Sequence, residues 1–541
     1  MYEDLADAQG RHVISAQVHN LRSFNSCKLQ MGFGLMAWVT TCGSQQLMNT
    51  LNGACLTMSF PSIKKVVDTL ADHAIEAARK ISLRPHALQY DNVNTSTSIY
   101  VEQTANTKSK VQSGTFSILY ELPNASPAHM EIAPMMTRLQ NSSPLHISDL
   151  RPTIEAAKSY KFQTRINIIC ILTKYVKGFS PYKNHLQLQH QPRRPLPNGV
   201  KTKFYPLCCA TIGEATMITG NLLVHDDVYI AQLKRRPEDL CAMAIPAPND
   251  QLTNARIRGA QELRKQDLTP WSRREVFQIG FGPFHFIMNL IWALLNVYRG
   301  SLNDVGSLTH LFAVIDKVRL GGEKPDYHTL LAALTQILEG LIINAWREEC
   351  ASDGFETLEI FAASEPTAEQ LLQYSETIIQ KYATPNETVN PVKWRSKKKA
   401  LTNTATRILL GIDPIEDFGG EQPEHASDDE ESSVDTVHEN TVKLTCDLLR
   451  MIELVDATAV GDFGRFEDLL PDCACVFRAA GSNNYVTEIL HWIFNVKEVW
   501  TLEFANIMRD MMLVNPSGRS GHFMGIDMNI EHNIGYLKVS L

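Results

Sequence analysis

Several catalytic signatures are missing from these 541 residues. There is no glycine-rich phosphate loop and no dinucleotide fingerprint. There is no Gly-x-Ser-x-Gly elbow and no His-Glu-x-x-His. P-loop nucleotide hydrolysis, Rossmann-type redox chemistry, α/β-hydrolase acyl transfer and zincin proteolysis are left without their sequence marks. No Cys-x-x-Cys occurs either, which removes zinc ribbons and thioredoxin-like chemistry. The 11 cysteines are odd in number and scattered. They read as buried small hydrophobes in a reducing compartment, cytosol or nucleus. Cys473 and Cys475, with His491, are the one close grouping with metal-ligand chemistry, and buried thiols are the plainer account of them.

Targeting and membrane segments are missing as well. The chain opens Met1-Tyr2-Glu3-Asp4, acidic where a secretory leader is basic, and no apolar run follows, so secretion is not expected. The most apolar stretch, Phe277 to Tyr298, carries Gln278, His285, Asn289 and Asn296. A membrane span needs about 20 predominantly apolar residues. This stretch reads instead as a buried helix near 284–299, with Pro283 in its first turn.

What is present is the balance of a folded protein, with 44% hydrophobic and 20% charged residues. Residues 1–85 have a helical pattern, clearest from Pro61 to Lys80, where Ile63, Val66, Val67, Leu70, Ile75 and Ala78 share one face. The pattern opens directly after Met1 and still runs at Leu541, as in a truncated copy. Ala87–Asn94 and Thr115–Tyr120 are strand-like and suggest a hairpin. Residues 184–203 form a Pro- and Arg-rich loop. Leu240–Ile245 is a further strand candidate, ended by Pro246-Ala247-Pro248-Asn249-Asp250. From 277 to 412 the pattern is almost wholly helical. Residues 408–442 hold eleven carboxylates with no Lys or Arg, a disordered acidic segment by composition. The expected organisation is a helical region over 1–85 and an α/β core over 86–275. A helical insertion follows over 276–412, then an acidic linker over 413–441. C-terminal helices over 442–541 complete the core.

Three carboxylates stand out. Asp91 and Asp250 are placed at strand ends, where burial demands a partner, and a divalent cation is one such partner. Glu488 lies on an amphipathic helix. Two strand Asp residues and a helical Glu form the ligand set of an RNase H-like two-metal site. Its ions, about 4 Å apart, activate water and stabilise a phosphodiester leaving group. The separation of 238 positions from Asp250 to Glu488 fits such a fold only with a large insertion. The bland readings are a turn for Asp91, a helix start for Asp250 and a solvated face for Glu488. Asp527 and Glu531 share a helical face at i, i+4, as a surface pair or an auxiliary polar network. His285 and Asn289 form a polar stripe suited to a hydrogen-bond network. Basic residues cluster at Lys234–Arg236, at Arg256, Arg258, Arg264, Lys265, Arg273 and Arg274, and at Lys393, Trp394, Arg395, Lys397, Lys398 and Lys399. In the last, Trp394 could stack a base while the cations meet phosphates. Ordinary solvated faces or a nuclear-localisation signal are the alternatives.

Several segments together carry a family resemblance. They are Gln30–Trp38, Tyr90-Asp91-Asn92-Val93-Asn94, Asn249-Asp250-Gln251-Leu252-Thr253 and Gly282–Phe286. Asn484-Tyr485-Val486-Thr487-Glu488 follows, and then Asn515-Pro516-Ser517-Gly518 running to Asp527, Glu531, His532 and Asn533. In this order they resemble a fungal family of unknown function, DUF6589, from about residue 28 to the C-terminus. That family is similar in layout to large fungal transposases. The resemblance implies an α/β, mostly helical fold. It has an RNase H-like mixed sheet core, a large all-α insertion and a helical N-terminal region. It implies a catalytic and metal-binding triad of Asp91, Asp250 and Glu488, Mg²⁺ or Mn²⁺ as cofactor, DNA as partner and phosphodiester cleavage or strand transfer as activity. Position 249 is Asn where the pattern has Gly. A non-catalytic nucleic-acid-binding protein or a helical interaction scaffold are the competing expectations. The net charge of −8 does not exclude DNA, because the acidic stretch alone carries −11 and the remainder +3.

Overall fold

A computed structural model describes residues 24–40, 43–54, 56–96, 111–210, 217–322, 324–385 and 435–540. The Lys393–Lys399 cluster, with Trp394, and the acidic stretch through residue 434 lie outside the described residues. Helices dominate and short strands are set among them, as expected for an α/β, mostly helical chain.

The chain divides into two units. The first takes the described residues up to Pro152, then Pro192–Asn289 and Val455 onward. The second takes Thr153–Gln191 and Leu290–Leu454. The helical insertion therefore begins near 290 rather than 276, because Phe277–Phe281 is a strand of the first unit. Residues 153–191, placed by sequence in the core, belong to the second unit instead. There the helix Ile154–Tyr175 buries Ile166, Ile168, Ile169 and Leu172, and Trp346 Nε1 donates to the Ile168 carbonyl at 3.3 Å. The acidic linker also ends earlier than expected. A helix starts at Thr436, and Asp435 Oδ1 accepts the Val437 and His438 N–H groups at 3.0 Å each, a side-chain cap.

One helix of the second unit, Tyr327–Ser352, is long and apolar enough to cross a membrane. Half of its apolar window is buried inside the protein. Its buried Glu349 accepts from Lys381 at 2.7 Å and Tyr382 at 2.9 Å, contacts suited to a core helix.

In the first unit, β1 (His86–Ser96) and β2 (Val111–Glu121) form the expected antiparallel hairpin, and β3 (Phe204–Pro206) extends it on the far side of β2. Asp91 is opposite Phe116, in the middle of β1 and not at its end, so turn chemistry does not account for it. Ala87, Leu88, Gln89 and Tyr90 are all buried, which means both faces of β1 are covered. Strand alternation puts Gln89 and Asp91 on one face and Leu88 and Tyr90 on the other.

The next strand departs from its sequence assignment. Leu240 closes a short helix, Pro237–Leu240, and β4 is Ile245–Asn249, with both prolines inside it. It pairs in parallel with β5 (Phe277–Phe281) and lies along β1 on its other side. The Ile245 N–H donates to the Val276 carbonyl at 2.6 Å. By alternation, positions 247 and 249 also face β5, while 246 and 248 face β1. Proline has no N–H, so Pro246 and Pro248 leave the β5 ladder intact and remove the donors toward β1. Across that seam Asn249 Oδ1 accepts the Tyr90 N–H at 3.4 Å. Glycine at 249 could not make this bridge.

Four further helices frame the first unit's chemistry. After α1 (Phe60–Ile81), which matches the expected Pro61–Lys80 helix, come α2 (Gln251–Leu263), α3 (Pro283–Tyr298), α4 (Asn483–Phe494) and α5 (Ile526–Ser540). Phe281, Phe286, Phe463, Phe466, Phe477 and Trp492 are buried and form an aromatic core with ring centroids 5.2–6.4 Å apart.

Candidate metal centre and its cleft

The start of α5 is fixed against β1. With its amide oriented to satisfy both partners, Gln89 donates to the Ile526 carbonyl at 2.9 Å and accepts the Asp527 N–H at 3.0 Å. Asn529 Nδ2 donates to the Tyr120 hydroxyl at 2.8 Å. Asp527 is thereby buried at the first turn of α3. Its carboxylate accepts the Phe284 N–H at 2.9 Å, the His285 N–H at 2.8 Å and His285 Nδ1 at 3.0 Å. A carboxylate is favoured there because the first N–H groups of a helix lack intrahelical acceptors. Gly282 makes room for it: a Cβ at that position would lie 2.3 Å from Asp527 Oδ2.

One helical turn after Asp527, Glu531 comes to the same imidazole, with Oε1 3.7 Å from His285 Nε2. Asp91 completes the group. Ligand atoms of Asp91, His285 and Glu531 all lie within 4.8 Å of one another. Burial and the charges of Asp250 and Glu531 push the Asp91 carboxyl up to about 7, against the opposing effect of His285. For His285, burial favours the neutral ring. The bond to Asp527, with the charges of Asp527, Asp91 and Asp250, outweighs it and lifts the ring to about 9. The imidazole is thus held by Asp527 through Nδ1 and presents Nε2 to Glu531. This is the orientation by which an outer carboxylate prepares a histidine ligand.

Asp250 has two parts to play. Its Oδ1 accepts the Thr253 N–H at 2.8 Å and caps α2, the helix-start role. Its charge also acts on Asp91, His285, Tyr485 and Glu488. Glu488 is buried but turns to a different partner. Arg258 meets it with both guanidinium nitrogens, one at 3.1 Å, and Asn254 Nδ2 donates to Oε2 at 3.0 Å. Burial raises the Glu488 carboxyl, with Arg258 and Asn254 opposing. The structure therefore places Asp91 with His285 and Glu531, and Glu488 with Arg258. Solvated-face placement does not describe Glu488.

The basic residues after Asp250 are largely engaged with acids. Arg264 bonds Asp267 at 2.7 Å, Arg273 bonds Glu275 at 2.9 Å and Arg274 bonds Asp226 at 2.7 Å. Lys265 pairs with Glu262. Arg256 is exposed on α2. Cys473 is buried and Cys475 exposed on one helix, and neither belongs to a metal-type cluster among the described residues. Beside the carboxylates a cleft of about 290 Å³ is lined by Asp250, Gln251, His285, Asn289, Asn484 and Tyr485, among others. Asn289 Nδ2 donates to the His285 carbonyl at 2.8 Å and to the Tyr485 hydroxyl at 2.9 Å, so the polar stripe of α3 is a bonded network.

Glu531 and His285, expected as auxiliary, join Asp91 in the cluster, and Asn254 and Tyr485 enter the site without a role expected from sequence. The i, i+4 pair Asp527/Glu531 and a histidine on an otherwise apolar helix were the available signals. The model of a family of unknown function, DUF6589, matches residues 140–541. No curated protein and no solved structure matches the chain.

Proposed function

The chain belongs to DUF6589, a family of unknown function, and we propose that it is a transposon-derived, RNase H-like protein that cleaves or transfers DNA phosphodiesters with Mg²⁺ or Mn²⁺. The observation that carries this reading is the convergence of ligand atoms of Asp91, Glu531 and His285 within 4.8 Å, with Asp250 alongside. The strand arrangement supports it. An antiparallel sheet β3-β2-β1 has β4 lying along β1, and β4 pairs in parallel with β5 in a second sheet; we read this as an RNase H-like order interrupted at the β1–β4 seam.

The donor set fits a divalent cation. Carboxylate oxygens suit Mg²⁺ and Mn²⁺, and an imidazole shifts the balance toward Mn²⁺. Asp91, Glu531 and His285 would hold the ion. Such an ion supplies charge that activates a water and neutralises a phosphodiester. Asp527 fixes the imidazole, and Gln89 fixes Asp527. Asp250 adds negative charge on the cleft side. Glu488, tied to Arg258 and Asn254, anchors α2 rather than reaching the cluster. That ion pair is also the observation favouring the second reading, a degenerate copy that binds nucleic acid without cutting it.

Calorimetric titration with Mn²⁺ tests the proposal. Wild-type protein should bind saturably, and Asp91→Asn and Glu531→Gln should each weaken binding at least about tenfold and abolish cleavage of a DNA duplex. Glu488→Gln should retain the metal. Absence of saturable Mn²⁺ binding would sink the proposal. Metal binding without cleavage would favour the second reading.

A further inference from the structure

We propose that the Tyr485 hydroxyl donates a hydrogen bond to a non-bridging phosphate oxygen of the nucleic-acid strand seated in the cleft beside Asp250. The proposal rests on the phosphodiester reading and deepens it by assigning a substrate contact.

The direction of the hydroxyl follows from its neighbour. Asn289 Nδ2 lies 2.8 Å from the His285 carbonyl and 2.9 Å from the Tyr485 oxygen. A carbonyl only accepts, so the amide nitrogen, and not the amide oxygen, occupies that position. Both of its protons are then committed, one to His285 and one to Tyr485. The Tyr485 oxygen is an acceptor in this bond, and its own proton is directed elsewhere. Among the described residues no acceptor is bonded to it. Tyr485 is 8% exposed, yet it lines the cleft with Asp250 and His285. Its ring is held, stacked on Phe477 at 5.1 Å and edge-on to Phe286 at 6.1 Å.

A buried donor without an acceptor is costly to leave unmade, and Tyr485 lines the cleft where a substrate would lie. Burial, with the charges of Asp250, Asp527 and Glu488, keeps the phenol protonated. It is thus a fixed neutral donor and not a proton source. Its neutrality matters beside Asp91, Asp250 and Glu531, where an incoming phosphate meets repulsion. A preorganised donor costs no reorganisation when charge arrives.

Tyr485→Phe removes the hydroxyl and retains the stacking ring. Fluorescence anisotropy with a labelled DNA oligonucleotide in Mn²⁺ should show about tenfold or greater weakening, as for a hydrogen bond to a charged group. The thermal midpoint should change little. A series of single methylphosphonate substitutions along the strand gives the second arm. At one position wild-type affinity should fall and Tyr485→Phe should lose nothing more. Equal binding by Tyr485→Phe and wild type overturns the proposal alone and leaves the cleavage reading in place. An effect that follows base identity and ignores methylphosphonates overturns it in favour of base recognition. Failure of wild-type protein to bind DNA overturns both.

Discussion

His86, fully buried at the start of β1, uses both ring nitrogens. Nδ1 lies 2.7 Å from the Arg84 carbonyl and Nε2 2.9 Å from the Tyr229 hydroxyl. The carbonyl can only accept, so the proton is on Nδ1, and Tyr229 donates to Nε2. A second proton would displace that bond, since the Tyr229 hydroxyl could then no longer donate to Nε2. Burial lowers the ring from 6.5 to about 4, with the Arg84 carbonyl opposing and Arg235 assisting. Between these values the unfolded chain binds a proton that the folded chain does not, so stability rises with pH across that window and is lost as pH falls through it. The span corresponds to about 3 kcal/mol for one site. Urea unfolding at pH 4 to 7 should therefore show a steeper loss of stability for wild type than for His86→Gln, and parallel curves would refute the assignment. Gly282 offers a steric test at the same scale. Gly282→Ala would force Asp527 away from the first turn of α3. It should cost about 1–3 kcal/mol in overpacking and weaken Mn²⁺ binding through His285, while a variant with wild-type metal affinity would show that Asp527 does not orient the ring.

At the scale of elements, α2 is held in place by side-chain bonds. Asn254 Nδ2 contacts the Gly280 carbonyl at 2.8 Å, the Asn249 carbonyl at 3.4 Å and Glu488, while Arg258 adds its pair to the same Glu488. These bonds join β4, β5, α2 and α4 around the capping Asp250. Glu488→Ala leaves Arg258 without its acid in a site where Glu488 itself is nearly fully buried. The expected loss is about 3 kcal/mol by chemical denaturation, the lower end for a broken buried pair, because Arg258 retains some solvent. A loss below about 1 kcal/mol would place the pair among ordinary surface bridges. Much of this architecture was readable in advance. The β1–β2 alternation and the α1 stripe follow from local periodicity; the next helix, expected from a Thr253 cap through Arg264, is capped instead by Asp250 and runs Gln251–Leu263. Strand β4 was not readable, because prolines are tolerated inside a strand only when their missing donors face a seam with no ladder, and that seam is a tertiary fact. The choice of Glu531 over Glu488 was equally out of reach. Both sit on amphipathic helices, and only the docking of α5 on Gln89 and of Arg258 on Glu488 separates them.

For the whole molecule, charge is distributed so that its total misleads. Among the described residues, the cations after Asp250 are mostly committed to neighbouring acids, which leaves less to hold a phosphate backbone than composition suggests. The five cations from Lys393 to Lys399 and the acidic stretch are separated by few residues of sequence. Charges farther apart than about 10 Å are largely screened at 0.1 M salt, so any effect of the acidic stretch on DNA binding would have to come from occupying cationic groups directly. Deleting residues 414–431 removes eight carboxylates and brings the net charge from −8 to zero, and it spares Asp435, which caps the following helix. If those carboxylates compete with DNA, the deletion tightens binding and steepens its salt dependence, because DNA then displaces counterions rather than a tethered acid. Replacing 414–431 with a scrambled sequence of the same composition separates occupancy from a specific fold: the scramble should restore wild-type affinity and slope. Identical anisotropy curves for wild type and deletion between 50 and 200 mM salt would discard the competition, and the −8 would then have no bearing on DNA binding.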